Sequence, residues 1–348
     1  MKTFIILVII TFYTVESLPF SQSKGASSSS PIHTLILTRH GDSIWNGGQP
    51  GYLETFTGWT DVPLSEKGIQ EAKALGAQVA TYSYGIDACF TSVLQRAQLT
   101  AHYCLWAFDR HPHTLAPQKY IVDYRLNERH YGSLQGIVKQ HAEQSGYYNP
   151  RDVQAWRRSW HAVPPLLKED DPRRLDELRK FLHYCDGDSE AVPRGESLAM
   201  VAKNRIRPFV DQILTPVLNE AAVNEGATGL IVAHANSLRA LIGVLCQVEE
   251  GDPASLARLE AIKIPTGLPL VLRYRQHGPG MYEVCDIPGL DNDNTIRRPL
   301  PHLPLWPLSA IPRVRMRDVE LSDDNTIGDA AVMRDNPRHL LSTSLGEK

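Results

Sequence analysis

The sequence predicts an α/β fold: a three-layer sandwich with a mostly parallel central sheet, helices on both faces and a helical cap insertion. Short apolar runs rich in β-branched residues alternate with longer segments whose apolar residues recur at helical spacing, from about residue 33 to residue 274. Strands and helices that alternate in this way are typical of a parallel sheet, because each parallel crossover needs a helix-sized connection. Polar, Trp-containing and Pro-punctuated sequence between about 136 and 196 indicates helices laid over the sheet rather than further strands.

The first part of the chain predicts two pairs of a strand and a helix. The apolar run 34–37 is the first strand, and Ser65 is the predicted N-cap of the helix that follows. Residues 88–92 are a second short strand, followed by a helix from 94 to about 108. The core face of the first helix is predicted to carry the apolar or small residues at helical spacing, which are Ile69, Ala72, Leu75, Gly76 and Val79.

The later part of the chain predicts a third buried strand at 230–234, a helix at 237–248 and a last strand at 269–274. We therefore assign residues 33–287 to one catalytic domain. Closely spaced prolines then break any periodicity. They predict that residues 288–348 form a Pro-rich, largely disordered tail.

The N-terminal segment has the pattern of a targeting sequence. Residues 1–17 place a basic residue before a short apolar run and small residues near a candidate cleavage point, which predicts a signal peptide, and 18–32 is a Ser-rich linker. This leader predicts entry into the secretory pathway, as a complete address or as the first part of a plastid-type organelle address. An uncleaved anchor, a disordered leader and a cytoplasmic chain that does not use the leader are the alternatives.

The composition excludes several classes of partner. The chain has 348 residues with a net charge of −3, so no general attraction to nucleic acid or to an anionic membrane is expected, and no stable membrane span is predicted once the leader is removed. The five cysteines are scattered without CxxC spacing, so neither a disulfide framework nor a zinc site is predicted. Any anion site must therefore be a local concentration of basic side chains.

Three predicted strand ends carry related chemistry. Arg39, His40 and Gly41 follow the first strand, Arg96 opens the helix after the second, and His234 ends the third. The carboxyl ends of parallel strands lie on one side of a sheet, where open α/β folds bind ligands, so these side chains are expected to converge. Arginine forks and helix N-termini bind phosphate, a neutral imidazole is a nucleophile, and Gly41 allows a sharp turn close to a ligand.

Ordered motifs along the chain resemble those of one enzyme family. They are Arg39-His40-Gly41-Asp42-Ser43-x-x-Asn46, Phe56-Thr57-Gly58-Trp59, Leu64-Ser65-Glu66-Lys67-Gly68, residues 127–136, Trp156-Arg157-Arg158, His234-Ala235-Asn236-Ser237-Leu238-Arg239-Ala240 and residues 264–270. In this order they resemble the cofactor (2,3-bisphosphoglycerate)-dependent phosphoglycerate mutases of the histidine phosphatase superfamily. The resemblance runs from about residue 33 to about residue 288.

The resemblance implies an isomerase of glycolysis and gluconeogenesis. It would interconvert 3-phosphoglycerate and 2-phosphoglycerate through a phosphohistidine, with 2,3-bisphosphoglycerate as the primer and no metal. In that case His40 matches the phosphorylated residue and Glu128 the proton donor and acceptor. His234 matches the residue that stabilises the transferring phosphoryl group, and Arg39 and Arg96 match the phosphate clamp.

The resemblance also implies which residues hold the substrate. The matching positions are Arg39, Ser43, Asn46, Thr57, Gly58, Arg96, Glu128, Arg129, Tyr131, Lys139, Arg157, Arg158, Ala235 and Asn236. A phosphoglycerate has a carboxylate at one end and a phosphate at the other, and the basic residues from 129 to 158 suit the end that is distal to His40. The expected partners are small phosphoglycerates, and a homo-oligomer is compatible with the sequence.

Four departures from the family pattern lie near the predicted site. Asp42 replaces the usual Glu, extra residues lengthen the loop between 49 and 55, and Thr55 stands where an Arg is common. Ala235 replaces the usual Gly after the second His. If that Gly has a positive φ, alanine there costs on the order of 1 kcal/mol.

Two other functions use the same predicted site. A phosphatase on this scaffold passes the phosphoryl group from His40 to water, and a catalytically weak phosphate-ester binding protein only holds the ligand. The second basic cluster, with Lys139, Arg157 and Arg158, favours a retained bisphosphate and hence the mutase. Ala235 and the altered loop are the only support for the binding protein.

Overall fold

A six-stranded sheet with the strand order β3-β2-β4-β1-β5-β6 lies at the centre of the protein. This computed structural model describes residues 30–48, 50–80, 85–108, 120–222, 226–248 and 252–286. The strands are β1 (His33–Arg39), β2 (Ala88–Thr91), β3 (Tyr120–Val122), β4 (Thr228–Ala233), β5 (Pro269–Gly278) and β6 (Met281–Asp286).

The sheet is mostly parallel, as predicted. β4 pairs in parallel with both β1 and β2, and β2 pairs in parallel with β3, whereas β5 and β6 form an antiparallel edge next to β1. Val232 of β4 lies beside Thr38 of β1 and Thr91 of β2. Because all three strands run in the same direction in this register, the residues that follow them lie at one edge of the sheet.

Helices cover both faces of the sheet. They are α1 (Glu66–Ala80), α2 (Gln95–Ala107), α3 (Lys139–Gln144), α4 (Pro150–Arg158), α5 (Pro172–Phe181), α6 (Leu198–Met200), α7 (Arg207–Phe209), α8 (Thr215–Ala221), α9 (Ala235–Leu245) and α10 (Pro253–Ala261). Leu35 and Leu37 of β1 pack in one core with α9 and α10, and Ile36 packs in the other with α1 and α2. Alternate residues of a strand point to opposite faces, so this division confirms the three-layer arrangement.

The start of α1 follows the prediction. The Gly68 N–H donates to the Ser65 hydroxyl at 3.2 Å, which makes Ser65 the N-cap. Four of the five residues predicted for its core face are buried, and Ile69 is half-buried. The predicted cap region contains α3, α4 and α5, which confirms that it is helical.

The helix after β4 begins and ends earlier than predicted. It starts at Ala235 instead of 237, because His234 already occupies the N-cap position, and it ends at Leu245 instead of 248. Gln247, just beyond it, has a φ of 51°, a left-handed conformation that stops a helix. The sequence pattern also missed β3, β6 and α10, whose apolar runs are short.

A long helical stretch before β4 was not predicted either. α6, α7 and α8 follow one another through two π-helical segments, Val201–Ile206 and Val210–Leu214. α7 and α8 each begin with a proline in their first turn, Pro208 and Pro216. A proline removes a backbone hydrogen-bond donor, and a helix can accommodate this loss by local π geometry. The apolar residues of the stretch therefore do not follow a simple 3.6-residue period, which is why the sequence pattern did not predict it.

Three predicted segments fall wholly or largely beyond these residues. The signal peptide 1–17, the linker 18–32 up to residue 29 and the tail 288–348 lie outside the described part of the chain, and they stay predictions. Within the described ranges, no helix combines the length and the apolar character needed to cross a bilayer.

Candidate active site

The predicted convergence of the three strand ends is present. His40 follows β1, and its N–H donates to the carbonyl of Ala233, the last residue of β4, at 2.9 Å. His234 follows β4, and its ring lies 5.0 Å from the ring of His40, centroid to centroid. Ser92 follows β2 and contacts His234. The parallel register therefore gathers both histidines at one point.

His40 has the geometry of a nucleophile. Its Nδ1 lies 2.7 Å from the Gly41 carbonyl, which can only accept, so Nδ1 carries the proton and Nε2 keeps its lone pair. The ring is 3% exposed. Burial, followed by the positive charges of Arg96 and Arg39, lowers the pKa of His40 well below its usual 6.5. The imidazole is therefore neutral and nucleophilic at neutral pH.

His234 is held by the end of β2. The Ser92 hydroxyl lies 2.8 Å from Nε2 of His234, and both residues are fully buried. Burial and then Arg96 lower the pKa of His234 well below 6.5, so this ring is also neutral at neutral pH. Ser92 and His234 share one hydrogen bond, in which the roles depend on the tautomer of the ring. At the N-cap of α9 the His234 side chain also faces the Ser237 N–H. The ring does not line the cavity described below, so it lies behind the residues that a ligand meets.

Two arginines flank the histidines. Arg96 is held by the carbonyls of Thr60 (2.9 Å) and Gly58 (2.8 Å), which accept from its two terminal nitrogens. Burial lowers the pKa of Arg96 to about 10, so it stays charged at neutral pH. Arg39 donates to the Ile264 carbonyl at 3.3 Å. Both arginines line the cavity described below, where their guanidinium groups suit an anion.

Glu128 is fixed through one of its two carboxylate oxygens. Its Oε1 accepts from the N–H of Arg129 at 2.8 Å and from the N–H of Asn236 at 3.2 Å. The residue is 8% exposed and lines the cavity described below, with no hydrogen bond to Oε2 in the described part of the chain. A carboxyl group held at one oxygen and accessible at the other can exchange a proton with a ligand hydroxyl.

A cavity of about 590 Å³ is lined by His40, Arg39, Arg96 and Glu128, whereas the predicted catalytic residue His234 does not line it. Seven lysine and arginine side chains line it, against two glutamates, so its ligand must be an anion. The lining residues are Arg39, His40, Asn46, Glu54, Thr55, Thr57, Gly58, Arg96, Glu128, Tyr131, Lys139, Arg157, Arg158, Ala235, Asn236, Arg239, Lys263, Ile264 and Pro265. The N-terminus of α9 also lies at this cavity and adds the positive end of a helix dipole.

Two predicted substrate-binding residues do not line the cavity. Ser43 is buried, and its N–H and hydroxyl donate to Oδ1 of Asn46 at 2.8 and 2.7 Å, so it holds Asn46 in place. Arg129 is fully buried, donates to the Ser159 carbonyl at 3.2 Å, and lies over the Tyr131 ring at 5.2 Å. The structure therefore places both behind residues that the ligand meets.

Comparison with known proteins places the chain in a family. Residues 35–177 match the model of the histidine phosphatase superfamily (branch 1). The chain is 40% identical over 240 residues to a 2,3-bisphosphoglycerate-dependent phosphoglycerate mutase of Neisseria meningitidis serogroup C, covering 69% of this chain and 93% of the relative. A second such mutase, from Lactiplantibacillus plantarum, is also 40% identical, covering 68% of this chain and 91% of that one.

The chain belongs to the phosphoglycerate mutase family of the histidine phosphatase superfamily. Members of this family are enzymes. A solved structure described as mycobacterial hydrolase 2 matches with a TM-score of 0.50 at 21% identity, over 73% of this chain and 89% of that one. At that identity the structural match supports the fold alone.

Two departures from the phosphoglycerate mutase pattern are harmless in the structure. Ala235 does not have a positive φ, since Asp186 and Gln247 are the only described non-glycine residues that do. It is the first residue of α9, so the condition for a cost of about 1 kcal/mol is not met. Asp42 does not line the cavity, and its carboxylate accepts from the Ser65 hydroxyl at 2.7 Å, next to the start of α1.

The structure adds cavity residues that sequence reasoning did not assign. These are Glu54, Thr55, Arg239, Lys263, Ile264 and Pro265. Arg239 donates to Asn236 at 2.5 Å and to the Ile262 carbonyl at 2.7 Å, and its position one helical turn after Asn236 was a usable signal. Lys263 comes directly before a motif that the family shares, whereas nothing in the sequence pointed to Glu54.

Replacing Ser92 with alanine tests the placement of His234. We expect Ser92→Ala to lower kcat roughly 10- to 100-fold with a small change in KM, because an unheld ring loses its orientation and its fixed tautomer. ¹⁵N chemical shifts of the His234 ring report the tautomer directly, and thermal unfolding controls for stability. A variant with normal turnover and an unchanged tautomer would show that Ser92 has no such role.

Proposed function

We propose that this phosphoglycerate mutase family member interconverts 3-phosphoglycerate and 2-phosphoglycerate. One observation carries the proposal: a neutral, buried His40 shares a cavity with a proton-exchanging Glu128 and with a distal basic cluster formed by Lys139, Arg157 and Arg158. Arg39 and Arg96 suit one anionic end of a phosphoglycerate, and the distal basic cluster suits the other. The 40% identical relatives are 2,3-bisphosphoglycerate-dependent phosphoglycerate mutases, which supports the same reaction.

The residues present also fit 2,3-bisphosphoglycerate as the primer. Arg39 and Arg96 line the cavity near His40, and Lys139, Arg157 and Arg158 line it as a second set of cations. Two sets of cations suit a ligand with more than one anionic group. Arg39, Arg96 and His234 would hold the phosphate next to His40, and the distal basic cluster would hold the other phosphate and the carboxylate. The bound primer supplies the phosphoryl group.

The described residues contain no set of three histidine, cysteine or acidic side chains arranged to hold a metal ion. In the proposed reaction Arg39, Arg96 and His234 would stabilise the negative charge on the oxygens of the transferring group, which is the role that the family resemblance implies for them.

Each transfer step balances with the groups at hand. Nε2 of His40 forms a bond to phosphorus while the phosphorus–oxygen bond of the ester breaks, and the carboxyl group of Glu128 gives its proton to the departing oxygen. In the return step a substrate hydroxyl attacks the phosphohistidine, Glu128 takes the hydroxyl proton, and the phosphorus–nitrogen bond breaks. Nδ1 of His40 keeps its proton throughout, because the Gly41 carbonyl holds it.

The test compares two products from one reaction. The full chain is supplied with 3-phosphoglycerate and a catalytic amount of 2,3-bisphosphoglycerate, and 2-phosphoglycerate and inorganic phosphate are measured together. We expect 2-phosphoglycerate in large excess and little turnover without the primer. Inorganic phosphate as the main product would instead assign a phosphatase, and neither product would assign a binding protein.

A further inference from the structure

An acidic side chain lies among the cations of the distal basic cluster. Oε1 of Glu54 is 2.6 Å from Nζ of Lys139, and Oε2 is 3.7 Å from Nη2 of Arg157. All three side chains line the cavity. The proposed function assigns Lys139 and Arg157 to the ligand's distal anion, so Glu54 occupies the same two cations that this anion would use.

The position of Glu54 is fixed by backbone contacts on both sides. The Glu54 carbonyl accepts from the Lys139 N–H at 2.8 Å, and the N–H of Thr55 donates to the Trp45 carbonyl at 3.0 Å. Thr55 and Val138 form an isolated antiparallel bridge. The lengthened loop therefore ends in a short pairing that sets Glu54 beside Lys139, and the ion pair follows from that pairing.

An exposed ion pair alone usually contributes little, but these cations are not freely exposed. The side chains of Lys139 and Arg157 are 20% and 24% exposed, while that of Glu54 is 50% exposed. Burial lowers the pKa of Lys139 against the opposing effect of Glu54. Although burial raises the pKa of Glu54, the charges of Lys139, Arg157 and, with the smallest effect, Arg39 bring that pKa below its usual value, so Glu54 is ionised at neutral pH. Partly desolvated cations need an anion, which Glu54 supplies.

We infer that Glu54 sets the charge selectivity of the distal basic cluster. Its carboxylate neutralises part of the cluster, so each negative charge at the distal end of a ligand must compete with it. Arg158 and Lys263 line the same cavity with no acidic partner in the described chain, so an attraction for an anionic group is retained. Glu54 therefore disfavours a distal phosphate more strongly than a distal carboxylate, because the repulsion grows with the charge of the group.

The proposal deepens the proposed function and rests on it for the orientation of the ligand. It is tested with ligands that share a phosphate and differ at the other end. Glycerol 3-phosphate has an uncharged distal end, 3-phosphoglycerate has a carboxylate there, and 2,3-bisphosphoglycerate adds a phosphate. Kd is measured for the first two by calorimetry on the full unphosphorylated chain. For the third, the concentration that half-saturates the phosphorylation of His40 is measured.

We expect Glu54→Gln to bind 3-phosphoglycerate on the order of tenfold more tightly and glycerol 3-phosphate less than about twofold more tightly. The half-saturating concentration of 2,3-bisphosphoglycerate should fall by more than tenfold. Glu143→Gln is the matched control, because Glu143 pairs with the same Arg157 at 2.9 Å but does not line the cavity. It should change these values by less than about twofold.

Three results would overturn the proposal. If Glu54→Gln changes the affinity for all three ligands equally, Glu54 does not select by charge. If Glu54→Gln binds 3-phosphoglycerate more weakly, Glu54 instead holds Lys139 in place. If Glu54→Gln and Glu143→Gln have equal effects, the cause is the loss of any acidic partner of Arg157. If the chain only binds phosphate esters, His40 is not phosphorylated in the unsubstituted chain either, and if it is a phosphatase, inorganic phosphate is the main product of the unsubstituted chain. The two calorimetric values then still decide the role of Glu54.

Discussion

Replacing His40 with alanine abolishes both phosphorylation of the chain by 2,3-bisphosphoglycerate and mutase turnover, with a loss of at least roughly 10⁴-fold. The reason is geometric. His40 provides the only imidazole in the described cavity lining, and its Nδ1 bond to Gly41 leaves Nε2 as the attacking atom. His234 cannot replace it, because Nε2 of that ring faces Ser92 and the ring is fully buried.

Quenched samples incubated with ³²P-labelled primer measure the first effect, and formation of 2-phosphoglycerate measures the second. The variant should still bind 3-phosphoglycerate, because Arg39, Arg96 and the distal basic cluster are unchanged. Thermal unfolding shows whether the fold is intact. Acid-labile label on another residue, or turnover within tenfold of the unsubstituted chain, would remove His40 from its assigned role.

The groups that strand periodicity located are those that follow strands directly, whereas Glu128, Lys139, Arg157 and Arg158 were located only through the family resemblance. Arg39, His40 and His234 come directly at or after the ends of β1 and β4, so strand periodicity and the geometry of parallel sheets were enough to bring them together. Arg96 followed for the same reason, in the first turn of α2. For these residues, a place at or directly after the end of a strand is enough to put the side chain at the site.

Other contacts depend on pairings between distant segments. Ser92 and His234 are 142 residues apart, and Glu54 and Lys139 are 85 apart. No periodicity links the members of either pair. The β-bridge between Thr55 and Val138 brings Glu54 next to Lys139. This bridge depends on the path of a loop whose sequence has no repeating pattern. The positions of the predicted strand ends therefore gave no indication of Glu54.

Glycine is required at position 41, but for a physical reason other than the predicted one. The sequence suggested a sharp turn close to a ligand, but Gly41 is not among the glycines with a positive φ. Instead, a Cβ atom there would collide with the carbonyl of Gly68, and one on Gly68 would collide with the carbonyl of Asp42. The two glycines allow the loop after β1 to pack backbone to backbone on α1 and thereby place His40.

Replacing Glu128 with glutamine lowers kcat by roughly 10²- to 10⁴-fold, the range for loss of a positioned acid–base group. The substitution is conservative in shape. The amide oxygen of glutamine can keep both hydrogen bonds that Oε1 accepts, from Arg129 and from Asn236, while the other end can no longer exchange a proton. KM is expected to fall, because a negative charge is removed near Arg96 and Arg239. Steady-state kinetics in the mutase direction measure both effects.

A substrate with a good leaving group separates proton transfer from structure. The p-nitrophenolate that leaves p-nitrophenyl phosphate needs no proton, so Glu128→Gln should phosphorylate His40 from this ester at nearly the unsubstituted rate. An equal loss with both substrates would show that the carboxylate acts through its charge or its packing. Selective loss with phosphoglycerate assigns the proton to Glu128, because both substrates use the same nucleophile and the same phosphate clamp.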